Sequence, residues 1–143
     1  MKKINLQDVN EDMVVKHEEL YLKTVQEIVN QFQEKFNDLG LTLCCSLFWE
    51  NMIQNKVSET RLCLENGYCS YVHIEARKGN KRVLLNDGEY GQISIADSVV
   101  YVERTLLLKS YVIFTDDTDD VSNDLEEDYQ LVTEHGYVEW EES

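Results

Sequence analysis

Residues 10–49 decide the fold class, and their sequence is NEDMVVKHEELYLKTVQEIVNQFQEKFNDLGLTLCCSLFW. Apolar residues first recur at spacings of three, four and seven, and after Gly40 they alternate with other residues. The first pattern predicts an amphipathic helix over 10–39, and the second predicts a strand over 41–49. The apolar positions of the predicted helix are Val14, Tyr21, Val25, Ile28, Val29, Phe32, Phe36 and Leu39.

The predicted helix also carries end signals. Asp8 with Glu11 three residues later resembles a capping box, and Asn10 is an alternative N-cap. Gly40 stands at the position where helices commonly end in a left-handed residue. The face opposite the apolar stripe carries mixed charge, and Glu18 is assigned to that solvent-facing side.

Three turn signals follow, Asn66-Gly67, Gly79-Asn80 and Asp87-Gly88. Such dipeptides favour tight hairpins, and tight hairpins make neighbouring strands antiparallel. We therefore predict a meander between residues 57 and 95. Its four strands are expected at 57–65, 68–78, 81–86 and 89–95.

The hairpin around Gly79-Asn80 concentrates basic residues at its tip. Two-residue turn geometry places Arg77 opposite Arg82 and Ala76 opposite Val83. Like charges that face each other across two strands destabilise the pair unless a counter-charge is present. Three interpretations of this basic tip are open: it is solvated, it receives the protein's own acidic loop, or it contacts a phosphate or nucleic acid. Four bases without interleaved aromatic residues are a weak nucleic-acid footprint.

Residues 98–114 fit two predictions. Asp97 or Ser98 can cap a helix over 98–109 that is followed by a strand over 111–114. The β-branched residues favour a single long bent strand instead. With either alternative the fold class is α+β, with a long N-terminal helix packed on a mostly antiparallel sheet.

The C-terminal residues 115–143 contain twelve acidic residues and none of the 13 basic residues of the chain. They therefore carry most of the net charge of −15. Segment 116–128 has the composition of an exposed acidic loop, and 129–140 is predicted to form a terminal hairpin-like segment. The length is typical of one domain, which we expect to span 1–143.

This charge distribution predicts a basic protein partner, because an acidic field attracts bases and repels nucleic acid and anionic membranes. Acidic side chains steer the approach of such a partner, and aromatic side chains anchor the contact. The candidate partner-binding residues are Asp116, Asp117, Asp119, Asp120, Asp124, Glu126, Glu127, Asp128, Tyr129, Tyr137 and Trp140.

Metal and catalytic motifs give no comparable signal. The oxygen-ligand spacing of an EF-hand is matched by Asp116, Thr118, Asp120, Ser122, Asp124 and Glu127, but Val121 occupies the position that needs glycine. Cys63 and Cys69 fall on opposite faces of the predicted first hairpin, so they form neither a disulfide nor a zinc site with His73. We predict no catalytic residue, no metal site and no cofactor.

In size, acidity and lack of a catalytic motif, the chain resembles small acidic inhibitors. These include bacterial immunity proteins that neutralise a toxin and phage proteins that block host defence nucleases. The resemblance implies stoichiometric inhibition of a basic toxin or nucleic-acid-handling enzyme in the cytoplasm. Two alternatives stay open, a secretion-chaperone-like protein and a small-molecule module whose pocket is lined by Trp49, Tyr68, Tyr71 and Tyr90. A homo-oligomer is also compatible with the sequence.

Overall fold

The computed structural model describes residues 1–51, 56–58 and 64–140, with the backbone alone at 56–58. Within these residues the chain forms two α-helices, eight β-strands and a 3-10 turn at Leu6–Asp8. The helices are α1 (Glu11–Asp38) and α2 (Asp119–His135). The strands are β1 (Lys2–Asn5), β2 (Thr42–Asn51), β3 (Lys56–Ser58), β4 (Tyr68–Lys78), β5 (Lys81–Leu85), β6 (Ser94–Arg104), β7 (Ser110–Phe114) and β8 (Tyr137–Glu139).

The predicted α+β fold is confirmed, because α1 packs on an antiparallel sheet. The hydrogen-bonded order of the strands is β1-β7-β6-β4-β2-β3, and β5 pairs with both β4 and β8. No helix in the described part of the chain is long and apolar enough to cross a membrane.

Both ends of α1 follow from its sequence. The side-chain oxygen of Asn10 accepts a hydrogen bond from the backbone N–H of Met13 at 3.0 Å, so Asn10 is the N-cap. At the other end Gly40 has a φ of 81°, and its N–H donates to the carbonyl of Asn37. The N–H of Leu41 donates to the carbonyl of Phe36, which completes a Schellman motif.

The buried stripe of α1 contains one residue that was assigned to its polar face. Glu18 is 0% exposed and lies between the buried residues Val14 and Tyr21. Its carboxylate accepts a hydrogen bond from the hydroxyl of Tyr68 at 2.8 Å. The spacing in the sequence indicates this burial. Glu18 is four residues after Val14 and three before Tyr21, so it lies on the same face of the helix as these two apolar residues.

The helix predicted at 98–109 is wrong, and so is the single bent strand. Residues 94–114 form a hairpin in which β6 and β7 pair, with Val102 opposite Val112 and Val100 opposite Phe114. The polar residues at 103–104 and 109–110 lie on either side of the turn of this hairpin. Their spacing along the chain is close to that of a helical repeat, which explains the wrong prediction.

The predicted pairing of segment 57–65 with segment 68–78 is also wrong where the structure describes it. β3 turns back on β2, so that Glu50 lies opposite Val57. β4 begins at Tyr68 as predicted, but its neighbours on the main path of the sheet are β6 and β2. The turn at Asn66-Gly67 is present, whereas residues 59–63, which include Cys63, lie outside the described residues.

The strand predicted at 89–95 starts later than expected. Asp87 accepts hydrogen bonds from the backbone N–H groups of Glu89 and Tyr90, which makes a wider loop than a two-residue turn. Only an isolated bridge between Leu84 and Gln92 precedes β6 in this part of the chain.

The acidic loop and terminal hairpin predicted at 116–128 and 129–140 are replaced by α2 and β8. Asp119 and Asp120 lie in the first turn of α2, where the partial positive charge of the helix end favours carboxylates. Val121, Leu125 and Val132 recur at helical spacing and are buried. The high acid content conceals this apolar period.

The chain divides into two compact units. One comprises Met1–Thr24, Leu47–Val72 and Asp97–Asp117, and its core includes Tyr68, Val72, Val99, Val100, Val112 and Ile113. The other comprises Val25–Ser46, His73–Ala96 and Thr118–Ser143, and its core includes Val25, Phe36, Ile74, Ala76, Val83, Val121 and Leu125. The single domain over 1–143 stays a prediction.

Candidate protein-binding surface

Helix α2 carries most of the predicted partner-binding residues that the structure describes. Its inner face is apolar, and Tyr129 on this face meets the ring of Phe36 of α1 edge-on, with centroids 5.8 Å apart. Lys35 of α1 donates to Glu126 at 3.2 Å and lies 5.3 Å from the centre of the Tyr129 ring. Glu126 and Tyr129 therefore hold α2 against the second half of α1.

The outer face of α2 is a line of carboxylates. Asp120, Asp124 and Glu127 are exposed and follow one another at spacings of four and three residues, so they lie on one side of the helix. Within the described residues none of these three makes an ion pair within 4 Å. We call this set the acidic stripe. The structure thus gathers on one helical surface residues that the sequence placed in a loop.

Asp128 lies at the edge of the buried face of α2. Partial burial raises the pKa of its carboxyl to about 6, and the negative charges of Asp124 and Glu127 add to the increase. Asp128 is therefore the acid of this helix that is most costly to ionise. It belongs to the packing side of α2 rather than to the acidic stripe.

The first two predicted acids lie before α2 and have local roles. Asp116 accepts a hydrogen bond from the N-terminal ammonium of Met1 at 3.0 Å, and this bond lowers the pKa of Asp116 below its usual value. The backbone carbonyl of Asp117 accepts a hydrogen bond from the hydroxyl of Tyr21 at 3.3 Å. The structure thus does not bring Asp116 and Asp117 into the acidic stripe. Asp119 lies in the first turn of the helix.

The two C-terminal aromatic residues contact the protein's own basic hairpin. Lys78 lies 5.9 Å from the centre of the Tyr137 ring, and Arg82 lies 5.5 Å from the centre of the Trp140 ring. These contacts arise because β8 pairs with β5, with Val83 opposite Glu139. Trp140 keeps 36% of its surface exposed.

The basic hairpin at residues 77–82 is neutralised from within the chain. Arg77 lies opposite Arg82, as predicted, and the nearly buried Glu75 pairs with both guanidinium groups at 3.2 and 3.3 Å. Glu139 pairs with Lys81 at 3.2 Å and with Lys78 at 3.4 Å. Hydrogen bonds from Lys81 and Lys78 lower the pKa of Glu139. The counter-charges come from β4 and β8, and none comes from the acidic stripe.

The expected pairing of Ala76 with Val83 does not form. The N–H of Ala76 donates to the carbonyl of Ile93 instead, so β4 and β5 separate beyond Arg77 and Arg82. The separation leaves β5 free to pair with β8, and that pairing delivers Glu139 to the two lysines.

Metal and nucleophile chemistry gain no support from the geometry. Residues 119–127 are helical, so the loop of an EF-hand does not form, and within the described residues no group of three or more His, Cys, Asp or Glu can hold a metal ion. Burial raises the pKa of Cys45 and of Cys69 to about 11, which keeps both thiols protonated and weakly nucleophilic.

Three of the residues predicted to line an aromatic pocket differ in their surroundings and exposure. Tyr68 is 1% exposed and bonded to Glu18, so it belongs to the core. Tyr71 stacks on Phe48 with centroids 5.6 Å apart. Tyr90 is 51% exposed in the loop after Gly88 and has a φ of 57°.

Sequence reasoning missed one exposed feature entirely. Leu106, Leu107 and Leu108 form the tip of the β6–β7 hairpin and are 101%, 81% and 71% exposed. The signal for it was available, because three consecutive leucines between Arg104 and Lys109 have no place in a hairpin core.

Comparison with known proteins does not assign this arrangement to a family. No protein-family model, curated protein or solved structure matches the chain. The function is therefore argued from the surface itself.

Proposed function

We propose that this protein binds a basic protein stoichiometrically through the acidic stripe of α2 and thereby inhibits it. The observation that carries the proposal is the line of exposed carboxylates at Asp120, Asp124 and Glu127, which have no ion-pair partner among residues 1–51 and 64–140. A line of like charges on a rigid helix attracts a basic surface over about a Debye length and orients it during approach.

The internal pairing of the protein's own bases supports this proposal. Lys35 is held by Glu126, and the basic hairpin is held by Glu75 and Glu139. These bases therefore do not cancel the charge of the acidic stripe. Since 115–143 contains no base at all, the field of α2 is available to another molecule.

Trp140 supplies the desolvated contact that charge alone cannot provide. Most of the energy of a protein interface comes from a few buried aromatic or arginine side chains. Tyr129 and Tyr137 are half-buried by internal contacts, whereas Trp140 is exposed. We infer that the acidic stripe steers the partner and that Trp140 contributes more to its retention than the two tyrosines.

The partner class that fits this chemistry is a basic toxin or a nucleic-acid-handling enzyme. Such enzymes use a basic cleft to bind phosphates, and a rigid row of carboxylates can occupy that cleft in place of a polyanion. Occupation of the cleft blocks the substrate, so binding and inhibition are one event.

The test compares two triple variants of equal charge. One is Asp120→Asn, Asp124→Asn, Glu127→Gln, and the matched control is Glu19→Gln, Glu27→Gln, Glu34→Gln on the exposed face of α1. Proteins retained by immobilised wild type but not by the stripe variant are identified, purified and tested for 1:1 binding and loss of activity.

We expect the stripe variant to reduce the association rate at least about tenfold at low salt and to flatten its salt dependence. The control variant should change the rate much less. Equal effects of the two variants would mean that only net charge matters, and an active enzyme in the 1:1 complex would refute inhibition.

A small-molecule module is the alternative proposal. One observation favours it, an open cleft of about 310 Å³ lined by Lys2, Ile4, Met13, His17, Leu20, Phe114 and Asp116. A thermal-shift screen with metabolites and nucleotides separates the two proposals, because a bound ligand raises the melting temperature without any protein partner.

A further inference from the structure

Strand β8 is held on the edge of β5 by a short hydrogen-bonded ladder. At one end the N–H of Asn86 donates to the carbonyl of Gly136 at 3.0 Å. At the other end the N–H of Trp140 donates to the carbonyl of Arg82 at 2.9 Å. Among the described strands β8 pairs with β5 alone, so its departure from the sheet breaks only this one ladder.

No side chain of residues 137–140 is buried. Tyr137 and Val138 are half-buried, and Glu139 and Trp140 are exposed. In contrast, the preceding helix α2 is anchored by three buried apolar residues. Segments without buried side chains open at a lower free energy than the core of the same protein. Strand β8 can therefore leave β5 while α2 stays packed.

The connection and the ion pairs of β8 permit this movement. A single residue, Gly136, joins α2 to β8, and it has a φ of 77°, in a region that glycine adopts without strain. Glu139 pairs with Lys78 and Lys81, whose side chains are 51% and 58% exposed. Exposed ion pairs contribute little to stability. The charges of this contact therefore orient the strand more than they retain it.

Departure of β8 uncovers a sheet edge with a definite chemistry. The backbone N–H and C=O groups of β5 are left open, and such an edge commonly pairs with an incoming extended chain. Beside this edge Lys78 and Lys81 lose Glu139, with which both pair. The uncovered site therefore attracts an acidic strand, whereas the acidic stripe attracts bases.

The contacts of β8 indicate which side chains the site accepts. The ring of Tyr137 lies 5.9 Å from the ammonium of Lys78. Its hydroxyl lies 3.0 Å from the position that a Cβ on Gly40 would occupy, so a glycine is needed there to make room for it. The guanidinium of Arg82 lies 5.5 Å from the centre of the Trp140 ring. The site thus accepts aromatic side chains at the first and fourth positions of the strand and an acid at the third.

We propose that β8 is a displaceable cover of a peptide-binding site on β5. The site takes an extended strand of another protein with an aromatic residue, any residue, an acid and an aromatic residue in that order. The incoming strand pairs with β5, places its acid beside Lys78 and Lys81, and stacks its last aromatic ring on Arg82. Because β8 is tethered, it competes at an effective concentration of roughly 1 mM. This proposal does not rest on the acidic stripe.

Peptide binding to the full chain tests the proposal. The probe is a fluorescent peptide with the sequence of residues 136–143, GYVEWEES. It is titrated against the wild type and against the triple variant Tyr137→Ser, Glu139→Ser, Trp140→Ser. We expect the triple variant to bind the peptide at least about tenfold more tightly, because its own β8 competes poorly. The matched control is Glu134→Ser, which removes an exposed acid near β8 and should bind like the wild type.

Altered peptides test the proposed pattern. A peptide with Glu139→Lys or with Trp140→Ala should bind the triple variant at least about tenfold more weakly. A poly-glutamate peptide and a single-stranded oligonucleotide of similar length should also bind more weakly than the probe. Equal binding of either polyanion would make the uncovered hairpin a general anion site and would overturn the proposed strand pairing.

Hydrogen exchange of the wild type supplies a test that needs no variant. The amides of Asn86 and Trp140 should exchange together, at least about tenfold faster than the amide of Ala76, which donates to the carbonyl of Ile93 in the same compact unit. Equal protection of the three amides would show that β8 is a fixed strand. A triple variant that binds the probe no better than the wild type would show that removal of β8 leaves no site. Either result overturns the proposal.

Discussion

The basic hairpin and the acidic stripe both bring like charges close together, but only the basic hairpin has counter-charges from the described part of the same chain. At the hairpin, Arg77 and Arg82 face each other and Glu75 contacts both. On α2, Asp120, Asp124 and Glu127 follow one another, and none of them has an ion pair within 4 Å in the part of the chain that the structure describes. Among the described residues, the basic hairpin is therefore neutralised by acids of the same chain, whereas the acidic stripe has no such partner.

This difference separates structural charge from charge that is available for binding. A nearly buried carboxylate between two guanidinium groups supports the fold, because its charge-assisted hydrogen bonds offset the cost of removing these charges from water, and loss of one partner leaves the others uncompensated. An exposed row of carboxylates adds mild repulsion to the folded state and provides no compensating contact. Substitutions in the two regions should consequently change stability in opposite directions.

The largest change in the free energy of unfolding is expected when Glu75, the counter-charge of the two arginines in the basic hairpin, is replaced. Glu75→Gln leaves Arg77 and Arg82 opposite each other without a counter-charge and should lower the free energy of unfolding by about 2–3 kcal/mol. Urea denaturation measures the loss. Adding Arg82→Gln to this variant should restore part of the stability, and a loss below about 0.5 kcal/mol would show that the two arginines do not need Glu75.

The next effect has the opposite sign and depends on pH. Asp128 has a pKa of about 6 in the folded protein, against about 4 in an unfolded chain. Its ionised form therefore destabilises the folded state, and Asp128→Asn should raise the free energy of unfolding by about 1–2 kcal/mol at pH 8. The gain should shrink as the pH falls through 6 and should vanish below about 4, where the carboxyl is protonated in both states.

Asp124→Asn is the control for this pH dependence. Asp124 is exposed and acts on Asp128 only through its charge, so its removal should give a smaller gain. A gain for Asp128→Asn that is equal at pH 8 and pH 5 would contradict the burial of an ionisable group at this position.

Local periodicity predicted α1 and the start and end of β4, because both have apolar residues at a regular spacing; Gly40 marks the end of α1, and Gly67 and Gly79 mark the two ends of β4. It failed for the β6–β7 hairpin, whose turn contains Leu108 at positive φ and so carries no glycine signal. It failed for α2 because the apolar period of Val121, Leu125 and Val132 lies within a strongly acidic composition.

The candidate site shows the same limit. The acidic and aromatic residues of the C-terminal segment were identified from composition, but their partners were not. Lys35 and Glu126 are 91 residues apart in the chain, and Lys81 and Glu139 are 58 residues apart. Composition cannot reveal which carboxylates are paired at such separations, so structural acids could not be separated from the acidic stripe.

The third prediction concerns Lys35, a base of α1 that contacts α2. Lys35→Met removes the ion pair with Glu126 and the cation–π contact with Tyr129 but keeps the apolar stem. We expect a loss of about 1 kcal/mol in the free energy of unfolding, which should decrease in high salt because both partners of the ion pair are half-exposed. A loss that does not respond to salt would assign the effect to packing.

The smallest effect on stability is expected at Trp140, and it decides the role of this residue. Trp140→Ala removes the contact with Arg82, and an exposed cation–π contact contributes only about 0.5 kcal/mol. If Trp140 also anchors a partner, the same variant should weaken binding by at least about tenfold through a faster dissociation rate. An unchanged dissociation rate together with the small loss of stability would mean that Trp140 does not anchor a partner. Its role would then be only to cover Arg82 in the basic hairpin, whose charges are paired with Glu75 and Glu139.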